Sequence, residues 1–106
     1  MIKDSGYFAM DKHTVLTQLK NHLEEIRQRF SVKSLSIFGS VARDQASKKS
    51  DVDILVAFEE KASFDLFMDL KFYLEELLGT GIDLVTDKAL RAPIRQAIEQ
   101  EIIRVA

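Results

Sequence analysis

The chain contains no cysteine, which excludes disulfide bonds, a thiolate nucleophile and any zinc site built on sulfur, and fits a reducing compartment. It also lacks a long hydrophobic run: the longest, from Ile54 to Phe58, is far shorter than the roughly 18 residues that a membrane span needs. The N-terminal residues include Lys3 and Asp4 and have no continuous apolar stretch, so they do not resemble a secretory signal. We therefore expect a cytoplasmic protein.

A surplus of positive charge is also missing. The 15 lysines and arginines are outnumbered by 17 aspartates and glutamates, and the net charge is −2. A broad nucleic-acid-binding face needs surplus positive charge, so direct nucleic-acid binding is not expected, whereas a small phosphate-bearing ligand is compatible with this charge. With 106 residues, of which 46% are hydrophobic and 30% charged, the composition is that of one globular domain.

The spacing of hydrophobic residues predicts an α/β fold, with a mixed β-sheet flanked by helices. The predicted elements are, in order, a helix over 12–29, a strand over 34–38, the start of a short helix at 41–43, a loop over 44–50, a strand over 51–58, a helix over 63–78, a strand over 82–85, a helical turn at 87–91, a helix over 93–100 and a last strand near 102–105. Residues 1–11 show no periodicity and are predicted to be a tail, so the domain itself spans 12–106.

The helix predicted over 63–78 is unusually hydrophobic. Ser63 is its expected N-cap, and Gly79 lies just past its end. Between them, apolar side chains occur nearly all round the helix, so more than one face is expected to be buried. Core packing is one interpretation of this pattern, and a partner interface is the other.

Two acidic residues open the strand predicted over 51–58. Asp51 and Asp53 are two positions apart, so their side chains leave the same face of the strand, while Val52 and Ile54 point the other way. Two carboxylates this close repel each other unless they share a cation, and hard oxygen ligands select Mg²⁺ or Mn²⁺. The plain alternative is that the pair marks the solvent-exposed start of a strand.

Gly39 and Ser40 directly follow the preceding strand and come just before a predicted helix start. At such a turn, backbone N–H groups are available to bind an anion, and glycine lets a phosphate approach the backbone closely. Serine adds a hydroxyl that donates a hydrogen bond or caps the helix. A plain strand-to-helix turn is the alternative.

A third acidic residue, Asp83, stands between Ile82 and Leu84 in a short apolar strand. A buried acid is costly unless it is paired, hydrogen-bonded or bound to a metal. If this strand lies beside the 51–58 strand, Asp83 completes a cluster of three carboxylates. If it is an edge strand, Asp83 simply faces water.

Together these features resemble a known signature. Residues 39–56, GSVARDQASKKSDVDILV, followed by Asp83, resemble the motif of the nucleotidyltransferase superfamily that includes DNA polymerase β and kanamycin nucleotidyltransferase. The short length is similar to that of the minimal nucleotidyltransferases, the MNT-type partners of HEPN-domain toxins in prokaryotes. The resemblance covers about residues 12–105 and implies the minimal nucleotidyltransferase fold.

The resemblance implies a role for each motif residue. Gly39 and Ser40 would hold the β- and γ-phosphates of a nucleoside triphosphate. Asp51 and Asp53 would bind two Mg²⁺ ions, and Asp83 would bind one of them and take the proton of the acceptor. In such a site one ion activates the attacking oxygen and the other stabilises the leaving pyrophosphate.

Arg43 and Ser50 also belong to the family pattern, and the resemblance implies that they assist phosphate binding. One position departs from the pattern, since the family usually has glycine where this chain has Asp44. Aspartate tolerates a left-handed backbone better than most residues but adds a negative charge. Lys48 and Lys49 in the same loop could offset that charge or could simply be solvated.

The resemblance implies adenylyl transfer, in which AMP moves from ATP to an acceptor hydroxyl with the help of Mg²⁺ and pyrophosphate is released. Larger relatives bind their acceptor with an added helical domain, for which 106 residues leave no room, so a second polypeptide is expected to supply the acceptor. The resemblance points to a HEPN toxin whose tyrosine is modified and whose RNase activity is thereby silenced. On this hypothesis the chain is an antitoxin.

Two other functions remain open. The chain could be an antitoxin that acts by binding alone, which Asp44 and the apolar helix 63–78 favour and the intact set of three carboxylates disfavours. It could also transfer a nucleotide to a small molecule such as an aminoglycoside, with two subunits sharing one site. The sequence ties no residue to the nucleotide base.

Overall fold

The computed structural model describes residues 11–43 and 51–105. Its helices and strands are, in chain order, α1 (Lys12–Asn21), α2 (Leu23–Phe30), β1 (Val32–Phe38), α3 (Gly39–Ala42), β2 (Val52–Phe58), α4 (Phe64–Leu78), β3 (Ile82–Thr86), α5 (Ala92–Ile98) and β4 (Ile103–Arg104). Short 3₁₀ turns at Asp87–Ala89 and Glu99–Glu101 lie on either side of α5. The predicted α/β class is confirmed, whereas the predicted tail and the loop over 44–50 fall on residues outside the described ranges, apart from Asp11.

The single helix predicted over 12–29 is wrong, because the structure has two helices that meet at His22. Asp11 caps the first by accepting a hydrogen bond from Thr14 N–H at 2.7 Å. His22 leaves the helical backbone region, with φ −112° and ψ 10°, and its Nδ1 lies 3.0 Å from the carbonyl oxygen of Gln18. The backbone N–H of His22 also donates to Gln18 O, at 3.3 Å, so the imidazole and the helical backbone share this carbonyl.

The sheet has the strand order β3-β2-β1-β4 in the described part of the chain. Strand β1 is antiparallel to β2 and β4, while β2 and β3 run parallel, so the sheet is mixed as predicted. Strand β1 starts at Val32, earlier than the predicted residue 34, because Val32 pairs with Phe58 and is buried. Strand β2 starts at Val52, one position later than predicted, which leaves Asp51 just before the strand.

Helices α1, α2 and α4 contact one another, and α2 packs on β1 while α4 packs on β3. The largest fully buried side chains of the described residues join in one hydrophobic core: Val15, Leu19, Ile26, Val32, Leu35, Ile37, Val41, Val52, Ile54, Val56, Leu70 and Leu74. In the described residues, no helix is long and apolar enough to cross a membrane.

Helix α4 has the predicted ends. Ser63 Oγ accepts a hydrogen bond from Leu66 N–H at 3.1 Å, and Gly79 ends the helix in the left-handed conformation with φ 69°. The buried residues of α4 lie on one side: Leu70, Leu74 and Leu78. Phe64 and Phe72 are 75% and 56% exposed, so within this chain a single face of α4 is fully buried, and a partner interface on its remaining surface stays a prediction.

The C-terminal elements bring the end of the chain back to the sheet. Helix α5 carries Pro93 in its first turn, where a missing N–H costs nothing. The predicted helix to Gln100 instead ends at Ile98 and tightens into the 3₁₀ turn Glu99–Glu101. Strand β4 then pairs with β1, so the predicted last strand is present, although it is short.

Candidate active site

The parallel pairing of β2 and β3 sets two acidic residues side by side. Asp53 is the register partner of Asp83, and Val52 N–H donates to Gly81 O at 3.0 Å at the start of the same ladder. Val52 is buried on the opposite face, Asp53 is half-buried, and Asp51 and Asp83 are exposed. The start of the parallel pair therefore presents carboxylates on one face and core residues on the other.

Electrostatics at this position disfavour the charged form of Asp53. Burial is the main cause that raises its pKa to about 6, and the charge of Asp83, a hydrogen bond shared with Asp83 and the charge of Asp51 add to it. The positive charge of Arg43 acts in the opposite direction. Like-charged groups held together in this way gain from a shared cation.

Gly39 is pressed against one of these carboxylates. It follows β1 directly and has a left-handed backbone with φ 75°. A Cβ atom at this position would overlap Asp53 Oδ2 and would lie 2.9 Å from Asp53 Cγ. Only glycine meets both the conformational and the spatial requirement, so the turn from β1 into α3 reaches the carboxylates through bare backbone.

Gly81 makes a second close approach. A Cβ atom on Gly81 would lie 2.6 Å from Asp51 Oδ1 and 3.2 Å from Asp51 Cγ. In the sequence Gly81 indicates only a turn before the third strand. Its role in leaving space for Asp51 depends on the parallel register of β2 and β3, which cannot be derived from the local sequence.

Arg43 ends α3, where its backbone N–H donates to Gly39 O at 3.1 Å. Its Nη1 donates to both Oε1 and Oε2 of Glu101, at 3.0 Å each, and forms an ion pair. Glu101 was not among the residues that the sequence motif identifies. No local pattern could have found it, because 58 positions separate the two residues.

The structure describes only some of the other motif residues. Ser40 lies in the short helix α3 and is half-buried next to Gly39. Ser50, Asp44 and the lysines of the same loop lie outside the described residues. Their expected roles stay predictions.

The donor chemistry fits Mg²⁺, although the structure does not hold a preformed cage. Within residues 11–43 and 51–105, no group of three or more histidine, cysteine, aspartate or glutamate side chains is arranged so that it could hold a metal ion. Mg²⁺ commonly keeps several waters and takes only one or two carboxylates, with substrate phosphates as further ligands. The neighbouring Asp53 and Asp83 match that demand.

A cavity of about 690 Å³ lies at the opposite end of the strands. It is bordered by Ala57 and Phe58 at the end of β2 and by Thr86 at the end of β3. Since none of the three carboxylates lines it, this cavity is distinct from the candidate active site.

Comparison with known proteins gives one consistent picture. Residues 19–105 match the nucleotidyltransferase domain family. Protein adenylyltransferase MntA of Thermococcus cleftensis is 44% identical over 87 residues, which cover 82% of this chain and 88% of the relative. A solved minimal nucleotidyltransferase structure superimposes with a TM-score of 0.75 at 36% identity, covering 89% of this chain and 95% of that chain.

A more distant structure has the same fold. It is a tri-AMPylated HEPN toxin of Shewanella oneidensis in complex with an MNT antitoxin, and it gives a TM-score of 0.63 at 16% identity. The match covers 86% of this chain and 71% of that chain.

Proposed function

This chain belongs to the nucleotidyltransferase domain family, and from that premise we propose that it transfers AMP from ATP to a hydroxyl group of a partner protein and releases pyrophosphate. The observation that carries the proposal is the pairing of Asp53 with Asp83 directly beside the bare backbone of Gly39. This arrangement offers carboxylates for a divalent cation next to backbone that a phosphate can approach.

We assign the metal ligands to the acidic residues at the start of the parallel strands. Asp51 and Asp53 would hold two Mg²⁺ ions, and Asp83 would share one of them. When bound, Mg²⁺ neutralises phosphate charge and favours deprotonation of the attacking hydroxyl. The raised pKa of Asp53 supports the assignment, because burial and then the neighbouring carboxylates disfavour its charged form, which a bound cation would stabilise.

The remaining residues of the site would bind ATP and move one proton. Gly39 and Ser40 would contact the β- and γ-phosphates. Arg43 and Ser50 would assist in binding these phosphates. Asp83 would accept the proton of the acceptor hydroxyl, whose oxygen then forms a bond to the α-phosphorus while the bond to pyrophosphate breaks. We propose this role for Asp83 from the family resemblance, and its exposure leaves it reachable by an acceptor from another protein.

We propose that the acceptor is a tyrosine of a HEPN toxin, that its modification silences the toxin and that this chain is the antitoxin. Two relatives support this: MntA is a protein adenylyltransferase, and the Shewanella complex contains a HEPN toxin that carries AMP groups. The reaction would take place in the cytoplasm, where cells keep their ATP.

An antitoxin that acts by binding alone is the second candidate. The exposed Phe64 and Phe72 favour it, because large apolar side chains in water are typical of a surface that another protein covers. Phe72 also borders a groove of about 610 Å³ between α2 and α4. This candidate needs no intact carboxylate cluster.

Label transfer from ATP radiolabelled at the α-phosphate separates the two candidates. The wild type and Asp53→Asn are each incubated with Mg²⁺ and the cognate HEPN protein, and Glu24→Gln, an exposed acid of α2 that does not line this groove, is the matched control. We expect label on the HEPN protein with the wild type and the control and a loss of at least about 100-fold with Asp53→Asn.

The outcomes have distinct meanings. Equal labelling by Asp53→Asn would contradict the proposed metal site. A complex that forms and stays non-toxic without any label would favour binding alone.

A further inference from the structure

The ion pair between Arg43 and Glu101 connects the end of α3, beside the candidate active site, with the 3₁₀ turn that precedes β4. Glu101 is the last residue of the 3₁₀ turn that leads into β4. Strand β4 is fixed to β1 by pairing of Ile103 with Ile37, so the carboxylate of Glu101 is carried by the sheet itself. Its side chain is only 22% exposed, whereas that of Arg43 is 44% exposed.

The backbone of Arg43 is also held close to the candidate active site. Its backbone N–H bonds to Gly39 O at 3.1 Å, and Gly39 in turn abuts the carboxylate of Asp53. One turn of α3 therefore separates the arginine backbone from the carboxylate cluster. The guanidinium end donates to both carboxylate oxygens of Glu101, at 3.0 Å each.

We propose that Glu101 is a positioning residue for nucleotide binding, which holds the Arg43 guanidinium at the edge of the active site facing the phosphates of ATP. This inference rests on the proposed function, since it assigns a further residue to the same site. Glu101 itself does not contact the nucleotide; it acts through Arg43.

The physical reason is pre-ordering. Guanidinium is planar and recognises phosphate oxygens through a fixed fork of N–H donors, so its orientation matters more than that of an ammonium group. An arginine that is already ordered loses less side-chain freedom when a ligand binds. A half-exposed ion pair adds little to folding stability, so the effect is expected in binding and not in the folded state.

The test compares Glu101→Gln with the wild type in binding of a non-hydrolysable ATP analogue, measured by calorimetry at fixed Mg²⁺. We expect Glu101→Gln to weaken binding about fivefold, because the side-chain freedom of Arg43 must then be lost on binding. Glu99→Gln is the matched control: it removes an exposed carboxylate from the same 3₁₀ turn and is expected to bind like the wild type. The melting temperatures of all three proteins should agree.

A double-mutant cycle identifies the route of the effect. If Glu101 acts through Arg43, then Glu101→Gln causes no further loss in an Arg43→Gln background. Arg43→Lys keeps the charge but loses the planar fork, and it should bind the analogue more weakly than the wild type.

Each contrary result has one meaning. Unchanged or tighter binding by Glu101→Gln, or an equal loss in the Arg43→Gln background, would overturn the positioning role while leaving the proposed function intact. A wild-type protein that binds no triphosphate analogue would overturn the proposed function itself, and the positioning role with it.

Discussion

At the scale of single residues, the candidate site is a place where the chain accepts unfavourable local interactions. Asp53 is half-buried beside Asp83, and Gly39 adopts a left-handed backbone against the same carboxylate. The motif residues themselves could be found from the sequence, because their order and residue types are specific. What could not be found are the contacts of Glu101 and Gly81, which exist only once the strands are in register.

Gly39→Ala tests the close approach at the turn. Both Gly39 and Gly79 have positive φ, but an added Cβ at Gly79 meets open space among the described residues, whereas at Gly39 it overlaps Asp53. Gly79→Ala should lower the free energy of unfolding by about 1 kcal/mol through the left-handed backbone alone. Gly39→Ala should cost clearly more, by ~1–3 kcal/mol beyond the control.

Chemical denaturation of the two variants measures this difference. Equal losses for Gly39→Ala and Gly79→Ala would mean that Asp53 moves away without cost.

Asp53→Asn tests the repulsion among the carboxylates. Without metal at pH 7.5, the variant should melt roughly 2–5 °C above the wild type, because it removes a charge that folding partly buries and places beside Asp83 and Asp51. A raised pKa means that the folded state holds the proton more tightly than the unfolded state. The advantage of the variant therefore grows as the pH rises from about 4, the pKa of an unfolded aspartate, to about 6.

Thermal unfolding in EDTA at several pH values is the measurement, with Asp69→Asn as the exposed control. A lower melting temperature for Asp53→Asn at pH 7.5 would show that the carboxylate is stabilised by partners and not repelled by its neighbours.

At the scale of elements, hydrophobic spacing located most helices and strands, and the caps of α4 were readable from Ser63 and Gly79. The break at His22 could not be predicted from the sequence, because the apolar residues on both sides of it keep the spacing of a single continuous helix. The strand starts also shifted, since the end of a strand depends on which partner residue it meets across the sheet. Local sequence thus sets the type of an element more firmly than its ends.

The contact between α2 and α4 gives a prediction on pH. Tyr73 of α4 donates a hydrogen bond to Glu25 of α2 at 3.0 Å, and Arg29 donates to the other oxygen at 3.2 Å. The bond from Tyr73, followed by the bond from Arg29, lowers the pKa of Glu25. The resulting stabilisation is present above the unfolded pKa of about 4.3 and is lost as the pH falls through the lowered folded pKa.

Tyr73→Phe should therefore melt below the wild type at pH 7, with a difference that shrinks at pH 3. In a Glu25→Gln background the effect of Tyr73→Phe should not depend on pH. A difference that stays constant from pH 7 to pH 3 in the wild-type background would show that the hydroxyl of Tyr73 acts independently of the charge on Glu25.

At the scale of the whole molecule, the mixed sheet builds the site from segments far apart in the chain. The α/β class and the order of elements could be predicted, but the strand order β3-β2-β1-β4 could not, because pairing direction and register depend on contacts between distant residues. The family resemblance supplied the expectation that the strands with Asp53 and Asp83 lie together, and the parallel ladder shows it.

The core is built from side chains and does not depend on a bound metal, so removal of metal should leave the fold intact. In EDTA we expect cooperative thermal unfolding, and addition of Mg²⁺ with an ATP analogue should raise the melting temperature in proportion to the logarithm of ligand concentration. The melting temperature of Asp83→Asn should rise less than that of the wild type when Mg²⁺ and the analogue are added. Loss of cooperative unfolding in EDTA would show instead that the metal is part of the structure.

The pairing of β4 with β1 has a consequence for synthesis of the chain. The motif from Gly39 to Asp53 leaves the ribosome well before Glu101 and the strand that carries it. During synthesis the chain therefore contains the acidic residues and the glycine turn before it contains the glutamate that pairs with Arg43. On the proposed role of Glu101, the nucleotide site is therefore completed only when the last strand has paired with β1.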